Sequence, residues 1–519
     1  MELEKQLLRQ NTIKSRAFTQ IALDDDCIVR DNKPDVIKII HTRGSVSFEE
    51  TKVTNQTVWV TGKLKFAVLY RSDSQAGKLE SLESVVDFGE KLVMEDVDEL
   101  DHVRLTGQLA DLAVTAINSR KLAVRALVEI SASAERQSEE ELVSAILEEP
   151  DVQQRQEEKE MLLLAASGHD IIRTHNELTL PGANPNISRV IYQNVDIRGR
   201  EAAPAKGRIQ LTGEAYVTML YGAEDGQLVW YEAMVPFSGA MECEGEEQSL
   251  CWVRTTPAEI ELEAVNDYDG EMRALSLDMV FDMDIKVWNE AKVPVLTDAY
   301  ALKRRLILKR QWMKACSLRM KNVAKLRLSE QMTLEGGEEK ILQLSGYEGD
   351  LQVDSVEAVD NGLLVEGILL LHILYATADD SCPVGHAFSQ AAFSQLIDIP
   401  GLAAGDKSIT YELEPGIDQL QVNLLDNDRY EVKAAISLSA LVLNEERFEK
   451  IVDVETAEED EQQLQSQPGL TGYIARGEVT LWDIAKRYHT TEREIIETNG
   501  LKSPRLKEGD KILIVKSVG

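Results

Sequence analysis

Along much of this chain, apolar and polar residues alternate with period two, as expected of strands with one buried and one solvated face. The clearest run is "MRALSLDMVFDMDIKV" (272–287), where Leu275, Leu277, Met279, Phe281, Met283, Ile285 and Val287 interleave with Ser276, Asp278, Asp282, Asp284 and Lys286. A second stripe, Leu64, Phe66, Val68 and Tyr70, stands beside Lys63 and Lys65. These stripes recur. Gly62–Tyr70, Gly213–Tyr221 and Gly367–Tyr375 keep one eight-residue spacing, and successive glycines are 151 and 154 residues apart. An upstream anchor, Ile39, Val190 and Ile341, repeats every 151 residues; a downstream one, Arg120, Arg273 and Arg429, repeats after 153 and 156. Three anchors in one order at nearly one period define a triplicated module. The turn-rich breaks "INSRK", "VNDYDGEMR" and "LDNDR" lead into the third anchor and predict a hairpin in each copy. The copies are expected to be mainly antiparallel β and sandwich-like.

Between copies the pattern changes. In "ERQSEEELVSAILEEPDVQQRQEEKEM" (135–161), Leu142, Val143, Ile146 and Leu147 fall on one helical stripe in acidic surroundings, which predicts helical connectors. The division expected is an extension over 1–14, copies at 15–135, 172–290 and 322–446, connectors at 136–171 and 291–321, an acidic linker at 447–470 and a terminal domain at 471–519. From Glu455 the linker is acidic, Gln-rich and poor in large apolar side chains, the composition of a flexible tether.

The terminal domain reads β-α-α-β, with "YIAR" and "KILIV" as strand-like ends. Leu481, Ile484, Ala485 and Tyr488 follow helical spacing behind Thr480 as N-cap with Asp483 three residues on. Thr491 and Glu494 form a capping box for a second helix that stops at Asn499–Gly500. Here the sequence resembles the LysM family, through Tyr473, "TLWDIAKRY" (480–488), "TT" (490–491), Asn499, Leu501, Pro504, Leu506, Gly509 and "ILIV" (512–515). The resemblance implies a glycan groove between the turn before the first helix (Glu478, Val479, Thr480) and the loop after the second (Asn499, Leu501, Lys502, Pro504). Family members usually carry Gly-Asp where this chain has Glu478–Val479, a change that weighs against N-acetylglucosamine polymers as ligand. Trp482 sits about 100° from Leu481 on the helical wheel. With Lys486 four residues later and Asp483 beside it, it offers an edge for a partner surface, since tryptophan is favoured in binding hot spots.

The layout of tandem β modules followed by one LysM domain resembles the SipL/SpoVID-like family of spore-coat morphogenetic proteins. That resemblance implies a non-enzymatic scaffold in the mother-cell cytoplasm, gathered at the forespore surface. Its partners would be a SpoIVA-like coat-basement ATPase and other coat proteins, with the LysM domain as the docking element. The alternative is a wall or cortex protein that binds peptidoglycan or another N-acetylglucosamine polymer.

Composition narrows the partners. The net charge of −34 makes nucleic acid and anionic lipid poor ligands, although the last 49 residues carry 9 Lys/Arg against 7 Asp/Glu. No stretch approaches the roughly 18 apolar residues of a membrane span. The start, "MELEKQLLRQ", lacks the apolar run of a secretory signal, so a cytoplasmic location and no transmembrane segment are expected. The 5 cysteines are scattered without CxxC, fitting reduced thiols. The 7 histidines show no HxH or HExxH, and no GxSxG elbow or phosphate-binding loop occurs. Neither a metal, a cofactor nor a catalytic residue is expected.

Overall fold

The period-two stripes become strands that pair through nearly the whole chain. The computed structural model describes residues 1–73, 79–205, 207–243, 249–334, 340–379, 382–457, 469–475, 479–501, 503 and 505–515. The first copy supplies six strands, β1 (Leu3–Ile28), β2 (Val36–Thr54), β3 (Thr57–Ser72), β4 (Leu79–Val93), β5 (His102–Asn118) and β6 (Lys121–Ile146). They form two antiparallel sheets, β1-β6-β5 and β2-β3-β4. The second copy repeats this with β7 (Val152–Thr179), β8 (Ile187–Ala205), β9 (Arg208–Ala223), β10 (Leu228–Glu242), β11 (Leu250–Asn266) and β12 (Met272–Ala301). The third uses β13 (Arg305–Thr333), β14 (Ile341–Val359), β15 (Gly362–Thr377), β16 (Val384–Asp398), β17 (Ile409–Asp426) and β18 (Arg429–Ala457). Each copy is thus a sandwich of two three-stranded sheets, and the expected hairpins are β5–β6, β11–β12 and β17–β18.

The stripes face the sandwich cores. All seven apolar residues from Leu275 to Val287 are at most 5% exposed, and Leu64, Phe66, Val68 and Tyr70 are buried likewise. The repeated glycines have a packing cause. Gly62, Gly213 and Gly367 lie opposite Phe88, Phe237 and Phe393 on the neighbouring strand, whose rings cover the position of the missing side chain. The repeated tyrosine closes the same sheet: Tyr70 and Tyr221 donate their hydroxyls to the Pro34 and Pro185 carbonyls at 3.2 and 3.0 Å. One anchor shifts. Ile39 pairs with Tyr70 and Val190 with Tyr221, but the partner of Tyr375 is Leu344; Ile341 takes the place of Val36 and Ile187. The arginine anchor braces the turn after the first strand in two copies, Arg120 donating to the Lys33 carbonyl at 2.6 Å and Arg273 to that of Pro181 at 3.0 Å. In the third copy Arg429 pairs with Asp426 instead.

The expectation of helical connectors is corrected. Residues 136–146 and 152–171 are strand, as are 3–14, 291–301 and 305–321. The first and last strands of each copy outrun the sandwich and pair only with each other, giving two-stranded ribbons such as Leu3–Thr12 with Arg136–Ile146. The three ribbons pack together. Leu8 and Leu142 of the first meet Met161, Val293 and Val295 of the second and Met313 and Ala315 of the third. Nearer the tips, Val143 and Ile146 meet Leu296, Ala299, Ile451 and Val454. Burial on both ribbon faces explains the misreading: apolar residues at consecutive positions break the strand alternation and imitate a helical stripe.

Below the ribbons the copies meet through charge. Glu412 is 7% exposed and receives both carboxylate contacts from Arg104 (2.9 and 3.2 Å) and one from Arg254 (3.2 Å). Glu135 lies 2.6 Å from Lys286 and 3.6 Å from Arg104, and Glu414 lies 3.0 Å from Arg254. Further along, Leu69 and Leu79, Ile191 and Leu220, and Leu374 and Val384 join the three copies again. Among the described residues no disulfide joins the five cysteines, and burial pushes the Cys251 and Cys316 thiols up to about 11.

Two substitutions test this arrangement. A Cβ at Gly62 would lie 2.5 Å from both the Phe88 ring and the Ser47 carbonyl oxygen, so Gly62→Ala should cost about 1–3 kcal/mol by overpacking and lower the urea midpoint accordingly. Glu412→Ala leaves two guanidinium groups short of a buried partner and should cost about 3–5 kcal/mol by the same measurement.

Candidate functional site

The terminal domain folds from β19 (Leu470–Ile474), α1 (Leu481–Tyr488), α2 (Glu492–Asn499) and β20 (Lys511–Val515). β19 and β20 pair antiparallel, with Ile512 and Ile514 buried against Leu481, Ile484, Ala485 and Ile495. Both helices start with reciprocal capping boxes, Thr480 with Asp483 and Thr491 with Glu494. His489 and Gly500 end them in the left-handed conformation. With eight residues each, the helices depend on these caps and on tertiary packing.

The structure distributes the ten expected site residues unevenly. Thr480 and Asp483 are spent on the first cap, which holds the Asp483 carboxyl below its usual range through hydrogen bonds from Thr480. Asn499 bridges α2 to β20, donating to the Ile495 and Leu513 carbonyls and accepting from the Leu513 amide at 2.7 Å. Val479 and Leu501 pack against the domain core. Glu478, Lys502 and Pro504 lie outside the described residues.

Trp482 and Lys486 form the remaining edge, and it faces the chain's own second ribbon. The Trp482 indole is 8% exposed and packs edge-on against Tyr300, with ring centroids 4.9 Å apart. Its Nε1 donates to Asp298 Oδ2 at 2.8 Å, and Lys486 Nζ lies 2.7 Å from both Asp298 oxygens. The Tyr300 hydroxyl donates to the Thr490 carbonyl at 2.8 Å, and His489 Nδ1 stands 3.1 Å from the Ala301 carbonyl. Burial, with Glu492, Glu494 and Asp298 nearby, raises the Tyr300 phenol well above its usual value and keeps it a donor. Asp298 owes its position to a bulge: the pairing of β12 with β7 slips between Leu296 and Asp298, and such irregularities re-aim side chains. Arg310 lies 3.3 Å from the same carboxylate.

Asp298 and Tyr300 were not anticipated, because their stretch read as a connector. The available signal was "TDAY" (297–300), an acid and an aromatic two apart, complementary to a tryptophan and a lysine four apart on a helix.

Chemically, this is a binding arrangement: a helix edge clamped by one carboxylate and one phenol. Comparison with known families fits that character. A SipL SPOCS-domain model matches residues 35–117, 186–266 and 340–425, and a LysM-domain model matches 474–515. Three SPOCS domains ahead of a LysM domain place the chain among sporulation proteins assembled from non-catalytic binding domains. It is a SipL-like protein, of the coat-associated, peptidoglycan-binding type. Each SPOCS match spans the four strands between the ribbon strands, β2–β5, β8–β11 and β14–β17. No curated protein and no solved structure matches the chain. Among the described residues no helix is long and apolar enough to cross a membrane.

Removing the clamp should loosen the domain. Hydrogen bonds to charged groups contribute about 1.5–3 kcal/mol each. Asp298→Ala should therefore speed exchange of the Trp482 indole N–H by at least about tenfold, measured by NMR in the full chain, without unfolding α1.

Proposed function

We propose that the chain is a non-enzymatic scaffold of spore-coat morphogenesis that docks at the forespore surface through its LysM domain. It acts in the mother-cell cytoplasm, binds a SpoIVA-like coat-basement ATPase, gathers other coat proteins on its acidic SPOCS body and promotes encasement. The observation that carries the reading is the pairing of Trp482 and Lys486 with Asp298 and Tyr300: the LysM edge already recognises a polypeptide surface. A domain whose recognition edge fits a carboxylate beside an aromatic ring is suited to a protein partner with the same chemistry. Tethering keeps it at high effective concentration near the body, so the partner competes with Asp298 for the edge.

A second reading rests on the LysM match itself, which favours an N-acetylglucosamine polymer such as peptidoglycan. Val479 packs against the domain core beside the first cap, in the turn where the family's groove begins.

Capture from sporulating cells separates the two. With Asp298→Ala, recovery of the basement ATPase should rise, because the competing ligand is gone. With Trp482→Ala and Lys486→Ala together it should fall at least about tenfold, the loss expected of a hot-spot pair, and the fluorescently tagged protein should no longer collect at the forespore. Retention of the full chain on insoluble peptidoglycan, competed by chitin oligomers and unchanged in the double variant, would favour the glycan reading instead.

A further inference from the structure

The seven histidines carry no ligand spacing in sequence, yet the fold gathers three where the copies meet. His41 on β2, His372 on β15 and His386 on β16 each present a ligand atom, and these atoms all lie within 4.8 Å of one another. The His41 ring centroid is 4.4 Å from that of His386 and 5.3 Å from that of His372. His372 and His386 come together because β15 and β16 pair with Leu374 opposite His386 and His372 opposite Phe388. His41 reaches them from the first copy.

His41 is the telling member. It is 3% exposed, and neither ring nitrogen has a hydrogen-bond partner. Its Nε2 stands 3.4 Å from Glu348 Oε1 without hydrogen-bond geometry. Burying a polar atom without a hydrogen bond is costly, so an imidazole with neither nitrogen hydrogen-bonded is suited to take a ligand. Opposite it, His372 Nδ1 and His386 Nε2 face each other at 3.0 Å, and a contact between two neutral imidazoles uses only one proton. Glu348, held by the Tyr192 hydroxyl and 3.3 Å from Arg43 Nε, is the anionic neighbour.

We infer that His41, His372 and His386 bind one divalent transition-metal cation, zinc being the best match, as a clamp between the first and third copies. An all-imidazole donor set suits zinc and its neighbours in the first row and disfavours calcium or magnesium, which take oxygen ligands. Ligation at the usual zinc–nitrogen distance of about 2.0–2.1 Å draws the three rings inward, and the ion gives a His41 nitrogen a partner where no hydrogen bond is made.

The test uses the full chain stripped with chelator. Zinc titrated against a chromophoric chelator should bind with one equivalent per chain and raise the unfolding temperature. Cobalt in its place should give the strong visible bands of a four-coordinate site. His41→Gln and His386→Gln should each weaken zinc binding at least a hundredfold, whereas His169→Gln, at an exposed histidine beside Asp284, should leave it unchanged. Absence of stoichiometric binding by the unsubstituted chain, a weak six-coordinate cobalt spectrum, or undiminished affinity in the His41 and His386 variants would each overturn the inference.

Discussion

A two-stranded ribbon with apolar side chains on both faces is not stable alone in water, and each SPOCS copy in this chain carries one. The ribbons stabilise one another: Leu142, Met161, Val293 and Met313 form one shared core, and Val143, Leu296, Ile451 and Val454 another nearer the tips. This mutual dependence sets how the sandwiches sit. It brings the charged layer around Glu412 and Glu135 into register, and it holds the end of β12 out as a platform for the LysM domain. Each ribbon buries its apolar side chains against the other two.

Sequence periodicity located the sandwiches because their strands have one dry and one wet face. The stripe from Leu275 to Val287 is such a case, and so is the glycine opposite a phenylalanine in every copy. The same reasoning failed where strands are dry on both faces: Leu142, Val143 and Ile146 break the period of two and imitate a helical stripe because neighbours cover them from two sides. The terminal domain was legible down to its caps, since capping boxes are local in sequence. What holds that domain was not. Asp298 and Tyr300 precede Trp482 by more than 180 residues, and only the fold shows that they share a surface. The histidine cluster was hidden for the same reason, as His41 and His372 belong to different copies.

The LysM domain accordingly has two kinds of contact. Internal ones, such as Asn499 between α2 and β20, fix its shape. External ones, through Trp482, Lys486, His489 and Thr490, join it to the second ribbon. The helix edge that supplies an indole N–H and an ammonium is complementary to the carboxylate and phenol at the end of that ribbon.

The charged layer also breaks the equivalence of the copies. Its carboxylates come from the first and third (Glu135, Glu412, Glu414) and its cations from the first and second (Arg104, Arg254, Lys286). Duplicated units that keep identical faces can trade places, within a chain or between chains, and so tangle during folding. Here a unit in the wrong slot would forfeit the pairing of Glu412 with Arg104 and Arg254 and of Glu135 with Lys286. Divergence at a handful of buried positions has given the three repeats fixed seats.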